Sequence, residues 1–136
     1  MSDPDAMRAA LSSGHDGVDV SRETLMRMAQ FADLFDAWSK RINLVAASTG
    51  GDFWMRHVAD SAQLLRLKPD ARHWSDLGSG GGFPGIVIAI LLSETEGARV
   101  DLIESNRKKA AFLQTVRAAC APCARVHPAR IEDAVM

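Results

Sequence analysis

Apolar residues recur at helical spacing in the first half of the chain and gather into short strand-length runs in the second. Leu25, Met28, Ala32 and Phe35 fall on one helical face, which Phe31, Leu34 and Trp38 widen. Ser21 is placed to cap that helix, with Val20 and Leu25 positioned for a hydrophobic staple. Upstream, Ser12-Ser13-Gly14-His15-Asp16-Gly17 reads as a loop, and residues 1–20 as a flexible N-terminal segment. A second helix is expected from about Asp52 to Leu65, where Trp54, Val58, Ala62 and Leu65 share a side. Residues 21–68 thus form an N-terminal layer of helices whose apolar stripes serve packing.

The pattern changes after Lys68-Pro69-Asp70. A short strand over His73–Leu77 runs into a glycine-rich turn, and Pro84 suits the first turn of a helix continuing through Ile86–Leu92. Residues 94–98 read as a loop, Arg99–Glu104 as a second strand, and Ser105 as the cap of a helix with Ala110, Leu113 and Val116 inward. Ala124–His127 makes a third strand. Alternation of strand and helix predicts a parallel sheet with right-handed crossovers, the opening half of a doubly wound, Rossmann-like α/β fold over residues 73–136.

The hydrophobic fraction of 47% with 24% charged residues belongs to a globular chain of one domain. No apolar run approaches the ~20 residues that span a bilayer, and the acidic start lacks the layout of a secretory signal. Two cysteines are too few for a disulfide scaffold, which makes a reducing cytoplasm the expected compartment. The net charge of −1 does not by itself favour nucleic acid. Its distribution is more informative: Lys40, Arg41, Arg56, Arg66, Lys68 and Arg72 make the middle of the chain basic. Such a segment either tracks phosphates or forms a solvated face.

The chemistry concentrates in Asp76-Leu77-Gly78-Ser79-Gly80-Gly81-Gly82-Phe83-Pro84-Gly85. Glycines at a strand end permit a tight turn and let a ligand approach bare backbone. The next strand ends on a carboxylate, Glu104, nineteen residues past Gly85. A carboxylate there can accept both hydroxyl hydrogens of a ribose. These features predict a site for an adenosine-containing cofactor. Residues 80–85 also satisfy the dinucleotide pattern G-x-G-x-x-G, so a dinucleotide-dependent oxidoreductase stands as an alternative. Two details oppose it. Asp76 would repel a pyrophosphate but favour the amino group of a methionine moiety, and Pro84 removes an N–H that a diphosphate would use. Glycines serving only a turn would explain neither their density nor Glu104.

Several stretches resemble the glucose-inhibited division protein B family, also called RsmG, which methylates guanine N7 in small-subunit ribosomal RNA. They are Trp38-Ser39-Lys40-Arg41-Ile42-Asn43-Leu44, Arg56-His57-Val58-Ala59-Asp60-Ser61, the run from Asp76 to Ile86, Leu102–Lys109, and Arg130-Ile131-Glu132. The match runs in order from about Ser21. The resemblance implies S-adenosyl-L-methionine as cofactor, with Asp76, Gly78, Ser79, Gly80 and Phe83 in the pocket. Glu104 would hold the ribose, and Ile131 with Glu132 would flank the adenine. Arg56 and His57, with Asp60, would sit near the pocket mouth, either touching RNA or forming a buried salt-bridged helix joint. Arg130 would meet the methionine carboxylate or an RNA phosphate. The implied partner is 16S ribosomal RNA or the small subunit, bound by a monomer without membrane or metal. Guanine N7 carries a free lone pair, so the reaction needs no general base and no catalytic residue stands out.

The family's fold continues beyond the position of Met136, so the sheet reads as truncated after its third strand. An open three-stranded sheet exposes an apolar edge and an uncovered face, and the 136 residues alone are expected to be inactive. A noncatalytic cofactor- or RNA-binding fragment is the corresponding alternative. Cys120-Ala121-Pro122-Cys123, with His127, has the spacing of a redox or metal motif. It lies at a helix C-terminus, where the dipole opposes a reactive thiolate, so structural cysteines are expected. Arg107, Lys108 and Lys109 oppose the dipole at a helix start, where they face either RNA or solvent.

Overall fold

The computed structural model describes residues 4–12, 20–44 and 51–134. Five helices and three strands follow in the order α1 (Pro4–Ser12), α2 (Arg22–Ser39), α3 (Gly51–Leu67), β1 (His73–Leu77), α4 (Gly85–Leu91), β2 (Arg99–Ile103), α5 (Arg107–Cys120) and β3 (Ala124–His127). A 3-10 turn, Ile131–Asp133, closes the described chain. The sheet is parallel in the order β1-β2-β3, with Ser75, Asp101 and Arg125 in one register row. This is the parallel, mixed α/β arrangement that the alternation of strand and helix predicts. Among the described residues no helix is long and apolar enough to cross a membrane.

Helix α2 starts where the sequence places it. Ser21 is extended and its hydroxyl accepts from Thr24 N–H at 3.1 Å, satisfying one of the free donors of the first turn. Val20 and Leu25 are both buried beside it. Leu25, Met28, Phe31 and Phe35 face inward, and α2 packs on α4 and α5. Their rings join Phe83, Phe112 and Trp38 in one aromatic cluster, with centroids of neighbouring rings 5.5–6.5 Å apart. Helix α5 buries Ala110, Leu113 and Val116 as the periodicity requires, and Phe112 with them.

Three expectations need correction. Residues 1–20 contain α1, whose Met7 and Leu11 are fully buried against the rest of the core. The Arg66 guanidinium donates to the Leu11 carbonyl at 3.2 Å, tying α3 to the end of that helix. Of the loop expected over residues 12–17, Ser12 instead closes α1, and residues 13–17 lie outside the described residues. Helix α5 is capped by Asn106, not Ser105. Asn106 is extended and its Oδ1 accepts from Lys109 N–H at 3.0 Å. Finally, α4 begins at Gly85 with Pro84 in the capping position.

The two faces of the sheet differ in chemistry. Trp74, Asp76, Val100, Leu102, Ala124 and Val126 face the helices, since Gly85 of α4 touches Leu102 and Asp76. The opposite face carries His73, Ser75, Leu77, Arg99, Asp101, Ile103, Arg125 and His127. It is not merely apolar. Asp101 is fully buried at its centre, with His73 Nε2 and His127 Nε2 at 2.6 and 2.7 Å and Arg99 Nε at 2.9 Å. One carboxylate thus links all three strands across that face.

Candidate functional site

The site is built at the carboxyl ends of β1 and β2. Beyond Leu77 the chain turns back without leaving the sheet, because Gly78 N–H and Ser79 N–H both donate to the Ile103 carbonyl, at 2.9 and 3.0 Å. The turn needs positive φ at Gly78 (85°), Gly80 (51°) and Gly82 (98°), which residues with a β-carbon rarely adopt. Ser79 is buried and its hydroxyl donates to the Asp76 carbonyl at 3.1 Å. Its side chain therefore shapes the loop from within. A side chain at Gly78 would meet open space, so the backbone there is free to be approached.

Glu104 fastens this loop to the second strand. Gly80 N–H donates to Glu104 Oε1 at 2.7 Å, and Asn106 N–H donates to Oε2 at 2.9 Å. The carboxylate is almost wholly buried, yet each oxygen keeps acceptor capacity beyond these single bonds. Asp76 faces the other way. Its Oδ2 accepts from Gly85 N–H at 3.0 Å, at the start of α4. Burial pushes the Asp76 carboxyl above its usual range, and the nearby Glu104 adds to the rise. Hydrogen bonds from Gly85 and Ser79 pull it down without cancelling this. Two carboxylates beside one glycine loop favour a ligand with hydroxyl donors and a positive charge.

Phe83 is an anchor. Its ring lies 5.5 Å from Phe31, 5.7 Å from Phe35 and 4.9 Å from the His57 imidazole, centroid to centroid. His57 is thereby brought against the loop, while Arg56 and Asp60, one turn apart on α3, are exposed. That excludes a buried Arg56–Asp60 joint. The Asn-Leu motif also gains a reason. Leu44 is buried, and a β-carbon on Gly81 would come within 3.1 Å of its carbonyl oxygen and of the Phe35 ring. Periodicity could not reveal this close approach, although the motif itself marks it.

Arg130, Ile131 and Glu132 follow β3 at the same end of the sheet, since Glu104 N–H donates to the His127 carbonyl at 3.0 Å. All three are exposed, and no hydrogen bond ties them to the glycine loop among the described residues. Ile131 and Leu77 each leave about half their surface to solvent (51% and 54%), giving this end of the sheet two apolar surfaces. The cysteines stand apart from the site. Cys120 and Cys123 are free thiols that donate to the Val116 and Ala89 carbonyls. Burial pushes Cys120 up to about 11 and raises Cys123 as well, the opposite of a reactive pair. Among the described residues no group of three or more His, Cys, Asp or Glu side chains is arranged to hold a metal ion.

Comparison with known proteins gives the family. The sequence model of the family described as rRNA small subunit methyltransferase G matches residues 24–135. A protein named ribosomal RNA small subunit methyltransferase G from Allorhizobium ampelinum is 57% identical over 128 residues, covering 94% of this chain and 61% of its own length. Proteins of the same name from Rhizobium rhizogenes and Chelativorans sp. are 58% and 62% identical, covering 87% and 84% of this chain. They are matched over 58% and 54% of their own lengths, so the chain spans somewhat over half of these relatives. A match of this extent, over the helical layer, the glycine loop and Glu104 alike, places the chain in the GidB family of rRNA small subunit methyltransferase G.

Proposed function

We propose that the chain supplies the cofactor site of a methyltransferase that moves a methyl group from S-adenosyl-L-methionine to guanine N7 of 16S ribosomal RNA. The observation that carries the reading is Glu104, buried at the end of β2 and already holding the glycine loop through Gly80. Its spare acceptor positions suit the two ribose hydroxyls. Asp76 supports the choice of cofactor. It occupies the Gly85 N–H at the start of α4, where a dinucleotide would need a free donor for its pyrophosphate. A carboxylate raised by burial is relieved by the ammonium group of a methionine moiety and burdened by a phosphate.

In this reading Gly78 and Phe83 border the methionine and ribose, with Ser79 and Gly80 giving the loop its shape. Ile131 and Glu132 flank the adenine, where the exposed Ile131 offers an apolar surface. Arg130 meets a carboxylate or a phosphate. Arg56 and His57 approach the RNA from α3, His57 held in place by Phe83. When bound, the cofactor supplies an electrophilic methyl group on a sulfonium. The chain's own residues need only orient it and exclude water, because N7 attacks with its own lone pair. Such positioning is worth ~7–11 kcal/mol of the barrier. The full-length protein acts as a monomer in the cytoplasm.

The test has two parts. Thermal unfolding with S-adenosylhomocysteine, and with NAD for comparison, is expected to show stabilisation by the first alone. Transfer of labelled methyl to small ribosomal subunits lacking the modification, using the full-length protein, then tests the substrate. Stabilisation by NAD, or transfer to no ribosomal RNA, would overturn the reading.

A further inference from the structure

Near the end of β2 lies a concavity of about 380 Å³, lined by Arg41, Ile42, Asn43, Asn106, Lys108 and Lys109. Two elements distant in sequence form its walls: the turn that ends α2 and the first turn of α5. Three of the six lining residues are cationic and none is acidic. Among the described residues, the side chains of Arg41, Asn43, Lys108 and Lys109 make no hydrogen bond or ion pair. The Asn106 side-chain oxygen is spent on Lys109 N–H, which leaves its amide N–H₂ as donor.

Helix stability does not explain these residues. The first turn of α5 contains no acidic residue and presents Arg107, Lys108 and Lys109 to the positive end of the helix dipole. Arg41 then adds a further charge of the same sign from across the cleft. The three charges that line the concavity are all positive, and an anion between them relieves their repulsion. The planar guanidinium of Arg41 and the ammonium groups of two lysines are the donor types that hold phosphate oxygens.

We propose that this cleft binds backbone phosphate of the substrate RNA, an inference that rests on the methyltransferase reading for its choice of RNA. The position supports that choice. Asn106 lines the cleft, and its own N–H donates to Glu104 at 2.9 Å, so the two sites share a wall. A strand gripped by its phosphates here is held next to the ribose-binding carboxylate. Ile42 leaves the floor partly apolar, and the walls offer no stack of aromatic rings, so the cleft reads backbone rather than base identity.

The test measures binding of a short fluorescent single-stranded RNA to the 136-residue chain across a salt series. The double variant Lys108→Ala/Lys109→Ala and the single variant Arg41→Ala are compared with Lys68→Ala, an exposed lysine before the far end of β1. For each phosphate that a variant no longer neutralises, the slope of log affinity against log salt is expected to flatten by about 0.7, with affinity falling several-fold. Lys68→Ala is expected to match the unaltered chain. Unchanged slopes in both cleft variants would overturn the proposal. So would displacement of RNA by millimolar inorganic phosphate beyond the effect of chloride at equal ionic strength, which would assign the cleft to free phosphate. The S-adenosylhomocysteine thermal shift, read on the same proteins, separates the two claims. Retention of that shift in the variants supports a cleft independent of the cofactor. Its absence from every protein, with RNA binding still dependent on the cleft, would refute the methyltransferase reading and leave the cleft standing.

Discussion

Gly80 and Glu104 are joined by a 2.7 Å hydrogen bond from the glycine N–H to Oε1, so the loop after β1 and the end of β2 are held as one piece. The residues expected to surround the sugar are thus set before any ligand arrives. Replacing Glu104 with Gln keeps the size but removes the charge and turns an N–H₂ toward one of two backbone N–H groups. Hydrogen bonds to a charged group are worth about 1.5–3 kcal/mol. The expected result is a loss of S-adenosylhomocysteine affinity of roughly tenfold or more, measured by titration calorimetry. Affinity equal to that of the unaltered chain would remove Glu104 from the ribose.

Asp76 makes an opposite pairing of effects. Its folded pKa lies above the usual 3.8, so the ionised form is disfavoured by folding and stability falls as pH rises through that range. Asp76→Asn retains an acceptor for Gly85 N–H and removes the buried charge. Without ligand, the variant is expected to melt at or above the temperature of the parent at pH 7. Its stabilisation by S-adenosylhomocysteine is expected to shrink. A variant that melts lower yet binds ligand unchanged would show that Asp76 serves only the fold.

Gly85→Ala tests the packing between loop and sheet. An added β-carbon would come within 2.3 Å of Leu102 Cδ2 and 2.6 Å of Asp76 Oδ2. Overpacking of this kind costs about 1–3 kcal/mol, and the crowded carboxylate adds to it. A clear fall in melting temperature is expected in circular dichroism, together with weakened ligand binding. A neutral substitution would mean that α4 can shift away from β2.

Asp101 should govern the response to acid. Burial pushes its carboxyl up, but the hydrogen bonds from Arg99, His127 and His73 outweigh this and hold it well below the usual carboxylate range. Its contribution is therefore complete above the unfolded pKa of about 3.9 and is lost as pH falls toward the folded value. Asp101→Asn is expected to lower stability by about 1–3 kcal/mol at pH 7, the scale of hydrogen bonds to a charged group. The difference between the two proteins in urea unfolding is expected to narrow progressively as pH falls below about 4 toward the folded pKa of Asp101. A gap that stays constant into acid would contradict the ion-pair account.

The thiols offer a simpler check. With Cys120 raised to about 11 and Cys123 also raised, neither is expected to react readily with iodoacetamide in the folded chain at neutral pH. Both are expected to be labelled once urea unfolds it. Fast native labelling of Cys123 would point to an opening between α4 and β3.

The parts of this molecule that repeat locally could be read directly. Helical spacing gave the inward faces of α2 and α5. The glycine run and the nineteen-residue interval to Glu104 foretold that loop and carboxylate would meet, because a strand–turn–helix–strand unit has little freedom in length. What depends on tertiary approach stayed hidden. Met7 and Leu11 lie in a short segment whose burial is decided by α3, and nothing local demands it. Ser105 and Asn106 are both good caps, and only backbone geometry chooses between them. The face around Asp101 combines residues from three strands, as the basic cleft combines Arg41 with Lys108 and Lys109. Neighbours so far apart in sequence leave no periodic signal. Phe83 shows the limit from the other side: its place in the glycine motif marks it for the loop, but nothing local tells that its ring packs on Phe31, Phe35 and His57.

That packing has a consequence beyond the pocket. The ring of Phe83 rides on the same short segment as Gly80 and Gly82, and it is seated among side chains of α2 and α3. A ligand that steadies the segment also restrains the ring, and through it the two helices on which it rests. Backbone amides of α2, far from any bound atom, would then exchange with deuterium more slowly when the site is filled. Slower exchange in α2 on addition of S-adenosylhomocysteine would thus show that filling the glycine loop is felt in the N-terminal layer.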